Sequence, residues 1–217
     1  MHFHIITLFP KAFDSYLGES ILKRAIEDNK LKVSFYNPRD FADNKHDRID
    51  RRPFGGGPGM VIQAEPVIKA IEKALIKSNV KSQTSKIIFL SPSGKQFTNE
   101  YAKKVSKKYK HIIIVSGRYE GIDVRVKKVF KMENISIGPF VLTGGELPAM
   151  IMIDVVARQV EGVLGNFDSV EERRISSSDI YTRPQKFKYR GKAYVVPKIL
   201  LSGHQAKIEE WKRKRKK

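Results

Sequence analysis

The chain has 217 residues, 42 lysines and arginines against 23 acids, a net charge of +19 and no cysteine. That length supports one full α/β domain with a small appendage, and a 41% hydrophobic share is ordinary for a packed core. The positive surplus exceeds what solubility needs and points to a polyanion, nucleic acid first and an anionic membrane second, while disulfides, thiolate catalysis and cysteine-held zinc are excluded. No run of about 18 apolar residues could span a bilayer and no targeting signal precedes the first strand, so a cytoplasmic protein without a membrane partner is expected.

Residues 3–9 read as a buried strand ended by Pro10, followed by one helix with Phe13, Tyr16, Leu17, Ile21, Leu22 and Ala25 at helical spacing. Residues 31–36 read as the next strand. Residues 37–60 are rich in charge, proline and glycine, and a loop this long in a compact domain is functional or disordered. Residues 64–76 return to helical spacing. A pattern of strand, glycine loop and helix then recurs from Lys86 to Arg158. One strand, 86–90, ends in Ser91-Pro92-Ser93-Gly94, and another, 111–115, ends in Ser116-Gly117-Arg118-Tyr119-Glu120-Gly121. A third turn, Gly144-Gly145-Glu146-Leu147-Pro148, opens an apolar helix: its paired glycines let main chain approach a ligand, and its proline fixes φ at the helix start. The fold class is α/β, a mostly parallel sheet with helices on both faces, and in such a sheet the three turns converge outside the carboxyl ends of the strands. That place is the candidate site.

The five histidines show no metal-ligand spacing; His2 and His4 alternate along a strand and read as structural, and no metal ligand is assigned. The chain divides into a domain at residues 1–164, a polar, serine-bearing linker at 165–180, and a small, mainly helical, basic module at 181–217 closing with a helix around 206–211. The final block, residues 212–217, is all lysine and arginine and reads as a solvated arm.

Gly55-Gly56-Gly57-Pro58-Gly59 lacks the lysine-serine/threonine ending of a triphosphate loop, and reads either as a flexible surface loop or, among Arg39, Arg48, Arg51 and Arg52, as part of a phosphate- or guanine-binding surface. Glu120 lies inside a glycine turn, which favours a ligand-facing role over a surface one. Arg158 ends the apolar helix and reads equally as a ligand-facing cation or as a charge favoured by the helix dipole.

Taken in order, ten segments resemble the bacterial tRNA (guanine-37-N1)-methyltransferase family. They are Leu8-Phe9-Pro10; Pro38-Arg39-Asp40-Phe41; the nine residues from Arg52 to Met60; Leu90-Ser91-Pro92 with Gly94; Gly117-Arg118-Tyr119-Glu120-Gly121-Ile122-Asp123; Ser136-Ile137-Gly138; Val141-Leu142 with the Gly144 turn; Gly162-Val163-Leu164-Gly165; Tyr181-Thr182-Arg183-Pro184; and Leu200-Leu201-Ser202-Gly203-His204. The match is collinear to about Trp211, and so many motifs in order are specific where any single one is not. The resemblance implies a SPOUT-class methyltransferase, a homodimer with a deep trefoil knot that holds S-adenosylmethionine in a bent form. It carries the cofactor contacts onto Leu90, Ser91, Pro92, Gly94, Gly117, Tyr119, Ser136, Ile137, Gly138, Pro139, Phe140, Val141, Leu142, Gly144, Gly145 and Pro148. It makes Arg158 the catalytic arginine facing guanine O6 and Glu120 the acid near cofactor and base. Arg52 and the glycine run, with Gly57, match the region that meets RNA and the partner subunit, and Arg39, Asp50, Arg118 and Arg183 join them as candidate RNA contacts.

The chain departs from the family where a linker aspartate would serve as general base, because the ungapped position is Arg173. Glu172 is the favoured substitute, with Asp179 next and Asp168 and Glu171 also available. Phe140 stands where many members have tyrosine, and the basic tail is expected to replace part of a further C-terminal helical segment. The expected function is methyl transfer from S-adenosylmethionine to N1 of guanosine 37 in tRNA. The alternatives are a catalytically impaired tRNA-binding protein of the same fold, and an enzyme acting on ribosomal RNA.

Overall fold

The run His111-Ile112-Ile113-Ile114-Val115 is apolar on both sides of a pleat, so it is stable only inside a sheet covered on both faces. The computed structural model describes residues 1–77, 84–165 and 179–215 and places this run there. The sheet contains β1 (His2–Ile6), β2 (Lys32–Tyr36), β5 (Ser85–Gln96), β6 (His111–Val115) and β7 (Glu133–Ser136) in the order β2-β1-β6-β5-β7. Every pairing is parallel. Alternate residues feed two cores. Phe3, Ile5, Ile88, Ile112 and Ile114 meet α1 (Asp14–Leu17), α2 (Ser20–Glu27), α4 (Asn99–Lys108) and α6 (Glu146–Ala157), whereas Ile6, Phe89, Ile113 and Val115 meet α3 (Ala64–Lys77) and α5 (Val126–Val129). The α/β class with a parallel sheet and helices on both faces is what the sequence led us to expect.

Three elements differ from expectation. The first strand stops at Ile6, because the Thr7 hydroxyl accepts a hydrogen bond from the Phe9 N–H and turns the chain. The single helix foreseen over 13–25 is a 3-10 turn, Pro10–Phe13, plus α1 and α2, broken at Gly18 and the extended Glu19. The strand foreseen at 86–90 continues to Gln96 through a register shift between Leu90 and Lys95. In that shift Gly94 packs on β7: a Cβ there would lie 2.5 Å from the Ile135 nitrogen.

The long segment before α3 is anchored by β3 (Asp50–Arg51) and β4 (Val61–Ile62), which pair antiparallel, and by Ile49, which is fully buried. The chain divides into two compact units, Met1–Leu164 and Gly165–Lys217. In the second, β8 (Lys186–Tyr189) and β9 (Lys192–Val195) form a hairpin around Arg190 and Gly191, whose φ angles of 48° and 77° suit a two-residue turn. The expected helix, α7 (Gln205–Arg213), is therefore accompanied by a hairpin that the helical reading of this module did not contain.

At the amino-terminal edge of the sheet, His2 and His4 of β1 meet His111 of β6. Burial, then Lys32, His111 and the amino terminus, hold His2 down at about 4, and burial, then the other two histidines and Lys32, hold His4 down at about 3. His111 is lowered by burial, the amino terminus and Lys110.

Candidate active site

At the opposite, carboxyl edge, β5, β6 and β7 open into one cleft of about 260 Å³. Leu90, Ser91 and Pro92 form one wall, Gly117, Arg118, Tyr119, Glu120 and Gly121 a second, and Ser136, Ile137, Phe140, Val141, Leu142, Thr143, Gly144, Gly145 and Pro148 the third. Of the residues expected at the cofactor, Gly94, Gly138 and Pro139 do not line it. Gly94 is spent on the β5–β7 contact. Gly138 and Pro139 shape the turn behind the wall, where the Ser136 hydroxyl donates to the Gly138 carbonyl at 2.9 Å.

The floor depends on Gly145. Its N–H donates to the Gly117 carbonyl at 2.9 Å and its own carbonyl accepts from the Ser116 hydroxyl at 3.2 Å. A Cβ on Gly145 would lie 2.7 Å from Ser116 Cα, so two loops close against each other only with glycine there. Glu146 follows as the only buried carboxylate among the described residues, 3% exposed. It accepts from the Thr7 hydroxyl at 2.7 Å and lies 2.8 Å from Arg118 Nε. Arg118 also lies over the Phe9 ring, 4.6 Å from its centroid, and donates to the Thr143 carbonyl. Arg118, expected to contact RNA, is part of the cleft wall and is held there by a carboxylate that had not been singled out as a site residue. The signal was present: a charged residue at the first position of a helix whose other positions, Asp154 apart, are apolar.

Glu120 lines the cleft on the side of the glycine loop. Its N–H donates to the Met60 carbonyl at 3.0 Å, and its side chain packs so closely beneath Gly59 that a Cβ there would lie 2.6 Å from Oε1. The loop bearing Gly57 thus stands beside the cleft. Arg52 is in a neighbouring hollow of about 620 Å³ with Arg51, Phe54 and Arg125, and Phe54 is fully exposed. Asp50 sits in β3, Arg39 in a 3-10 turn capped by the Asn37 side chain, and Arg183 is exposed in the second unit.

Arg158 does not line the cleft. It caps the far end of α6, and 12 helical residues from Gly145 span about 18 Å, farther than an arginine side chain extends. Glu172, Arg173, Asp168 and Glu171 lie outside the described residues. Asp179 is described, with Oδ2 3.2 Å from Arg215 Nε in the second unit.

The arrangement defines a class: an α/β protein of strongly basic charge whose small-molecule cleft at the sheet's carboxyl edge is built from glycine turns and apolar side chains and has no lysine in its walls. The family model described as tRNA (Guanine-1)-methyltransferase TrmD matches residues 1–217. Curated relatives named tRNA (guanine-N(1)-)-methyltransferase include one from Clostridioides difficile (strain 630), 44% identical over 98% of this chain and 91% of the relative. One from Desulforamulus reducens is 44% identical over 99% of this chain and 83% of the relative, and one from Caldanaerobacter subterraneus subsp. tengcongensis is 47% identical over 99% and 86%. The chain belongs to the TrmD family of tRNA (guanine-1)-methyltransferases.

Proposed function

We propose that this protein methylates N1 of guanosine 37 in tRNA, with S-adenosylmethionine as donor, in the cytoplasm and as a homodimer of knotted SPOUT domains. The observation that supports the reading most is the single cleft into which the three glycine-bearing loops open, in a chain related along its whole length to tRNA (guanine-1)-methyltransferases. Its walls fit the donor. Leu90, Ile137, Leu142 and Pro148 offer apolar surface for an adenine ring, and backbone groups of the Gly117 and Gly144 loops offer polar contacts without a phosphate-binding lysine. When bound, S-adenosylmethionine supplies an electrophilic methyl group.

The remaining work falls to the chain's own groups. N1 must be held in line with the methyl, its proton must leave, and charge appearing on O6 must be met by a donor. Glu120 is the acid at the cleft mouth. Arg158 is suited to O6, and because α6 carries it about 18 Å away, it serves the cleft of the second subunit. Exposed Leu147 and Ile151 on α6, with Tyr16 on α1, whose hydroxyl donates to Asp154 of α6, and Ile21 on α2, offer an apolar surface for that subunit. Glu172 takes the N1 proton, since an always-charged arginine at Arg173 cannot. RNA is gripped by Arg39, Arg52 and the Gly57 loop beside Asp50, and by Arg183 in the C-terminal module.

The test is methyl transfer from labelled S-adenosylmethionine to unmodified tRNA, with the product mapped by nuclease digestion. N1-methylguanosine at position 37 is expected. Labelled ribosomal RNA, or tRNA binding with no methyl transfer, would replace this reading with one of the two alternatives. Single-turnover rates of Glu172→Gln, Asp179→Asn and Arg158→Ala then locate the base. Loss only in Arg158→Ala removes the linker carboxylates and leaves Glu120 or water.

A further inference from the structure

Outside the cleft, the titratable groups that could ligate a metal gather at the other edge of the sheet. His2, His4 and His111 are the only group among the described residues in which three side chains able to ligate a metal converge, each offering a nitrogen within 4.8 Å of the others. His2 and His111 are register partners across β1 and β6, and His4 lies one pleat further on the same face. The distance from His4 Nε2 to His111 Nδ1 is 3.1 Å. Two imidazole nitrogens on a tetrahedral zinc, each 2.0–2.1 Å from the ion, stand about 3.3 Å apart. The second nitrogen of His4 is already provided for: Nδ1 lies 3.2 Å from the buried Tyr36 hydroxyl, the kind of outer partner that orients metal-bound imidazoles. His2 Nε2 lies 2.9 Å from the Ser34 hydroxyl. His4 is fully buried while His2 and His111 are half-buried, so the group is anchored on one side and open to solvent on the other.

We propose that His2, His4 and His111 bind one divalent transition-metal ion, zinc foremost, with water completing the coordination. Three neutral imidazoles without a carboxylate suit zinc, cobalt, nickel or copper rather than magnesium or calcium, which take oxygen ligands. Binding calls for the tautomers in which His4 carries its proton on Nδ1, toward the Tyr36 hydroxyl, and His111 carries its proton on Nε2, so that the lone pairs of His4 Nε2 and His111 Nδ1 face the ion. Lys32, Lys110 and the amino terminus are the charged groups near the rings, and they oppose the ion's charge. Because the site is at the edge of the sheet away from the cleft, it ties β1, β6 and, through Tyr36 and Ser34, β2, and its role is to stabilise the sheet.

The experiment uses the full, untagged chain stripped with a chelator and dialysed. Cobalt(II) titration followed by visible absorption, and zinc titration followed by calorimetry, are expected to show one saturable site per chain, with an intense tetrahedral-type cobalt spectrum and a higher Tm in the presence of zinc. Magnesium gives no heat. His2→Gln and His111→Gln, both at half-buried positions that tolerate change, each weaken zinc at least tenfold, the lower end of what loss of even an outer partner costs. His46→Gln and His204→Gln leave it unchanged. Absence of saturable binding overturns the proposal, and so does binding that survives both the His2 and His111 variants, since the ion would then be held elsewhere.

Discussion

Gly145 and Glu146 show how closely neighbouring residues divide the work of the cleft. Gly145 lets the third loop lie against Ser116, and Glu146 fixes Arg118 and Thr7 from below. Replacing Gly145 with valine forces the loops apart, because a Cβ at 2.7 Å from a backbone carbon has nowhere to move. Calorimetry with S-adenosylmethionine or its demethylated product should show binding lost in Gly145→Val, while circular dichroism at 222 nm stays near wild type because the core beneath is untouched. ATP should bind neither protein. The Arg118–Glu146 pair is a second sensitive point: Glu146→Ala leaves a half-buried guanidinium without its carboxylate, and the cost should be about 3 kcal/mol in urea unfolding.

Among the elements, β7 is one of the two edge strands of the sheet and supplies one wall of the cleft. It is tied at its start by Glu133, which accepts from the Tyr101 hydroxyl of α4 and pairs with Lys86 of β5. Burial works against the Glu133 carboxylate, yet the hydrogen bonds from Lys86 and Tyr101 outweigh it and hold its pKa below the usual value. The folded state therefore binds that proton less readily than the unfolded chain. The stability contributed is complete above the ordinary glutamate pKa of about 4.3 and is lost as pH falls below it. Urea midpoints measured from pH 6 down to pH 3 should fall more steeply in the wild type than in Glu133→Gln, and equal slopes would show that this link carries no acid sensitivity.

For the whole molecule, the length of α6 separates the cleft from Arg158 of the same chain. If Arg158 completes the partner's cleft, two inactive variants should rescue each other. A heterodimer of Gly145→Val with Arg158→Ala contains one site with both defects and one with neither, so random mixing should restore roughly a quarter of wild-type activity. No rescue, or an active monomer by sedimentation, would place Arg158 outside the reaction or within its own subunit. The charge of +19 should appear as salt-dependent tRNA binding. Each phosphate neutralised contributes about 0.7 to 0.9 to the slope of log affinity against log salt, so removing residues 214–217 should lower that slope if the tail touches RNA.

Local sequence was enough to reveal the parallel sheet, both covered faces and the three loops of the cleft. An apolar run such as 111–115 and paired glycines such as 144–145 are visible in a few neighbouring residues, although distant partners hold them in place. The ordered motifs also carried the family. What lay beyond the sequence is whatever depends on partners far along the chain. That Gly94 packs on β7 at the β5–β7 register shift, and that Glu146, 28 positions later, holds Arg118 in the cleft wall, could not be read from local sequence. No spacing rule joins His4 to His111, 107 residues apart; only the pairing of β1 with β6 brings their rings within 3.1 Å. Composition, periodicity and turn chemistry decide which elements form and where the loops converge, because those are local free energies. Which side chains face one another is decided only when the sheet's strand order and register are fixed.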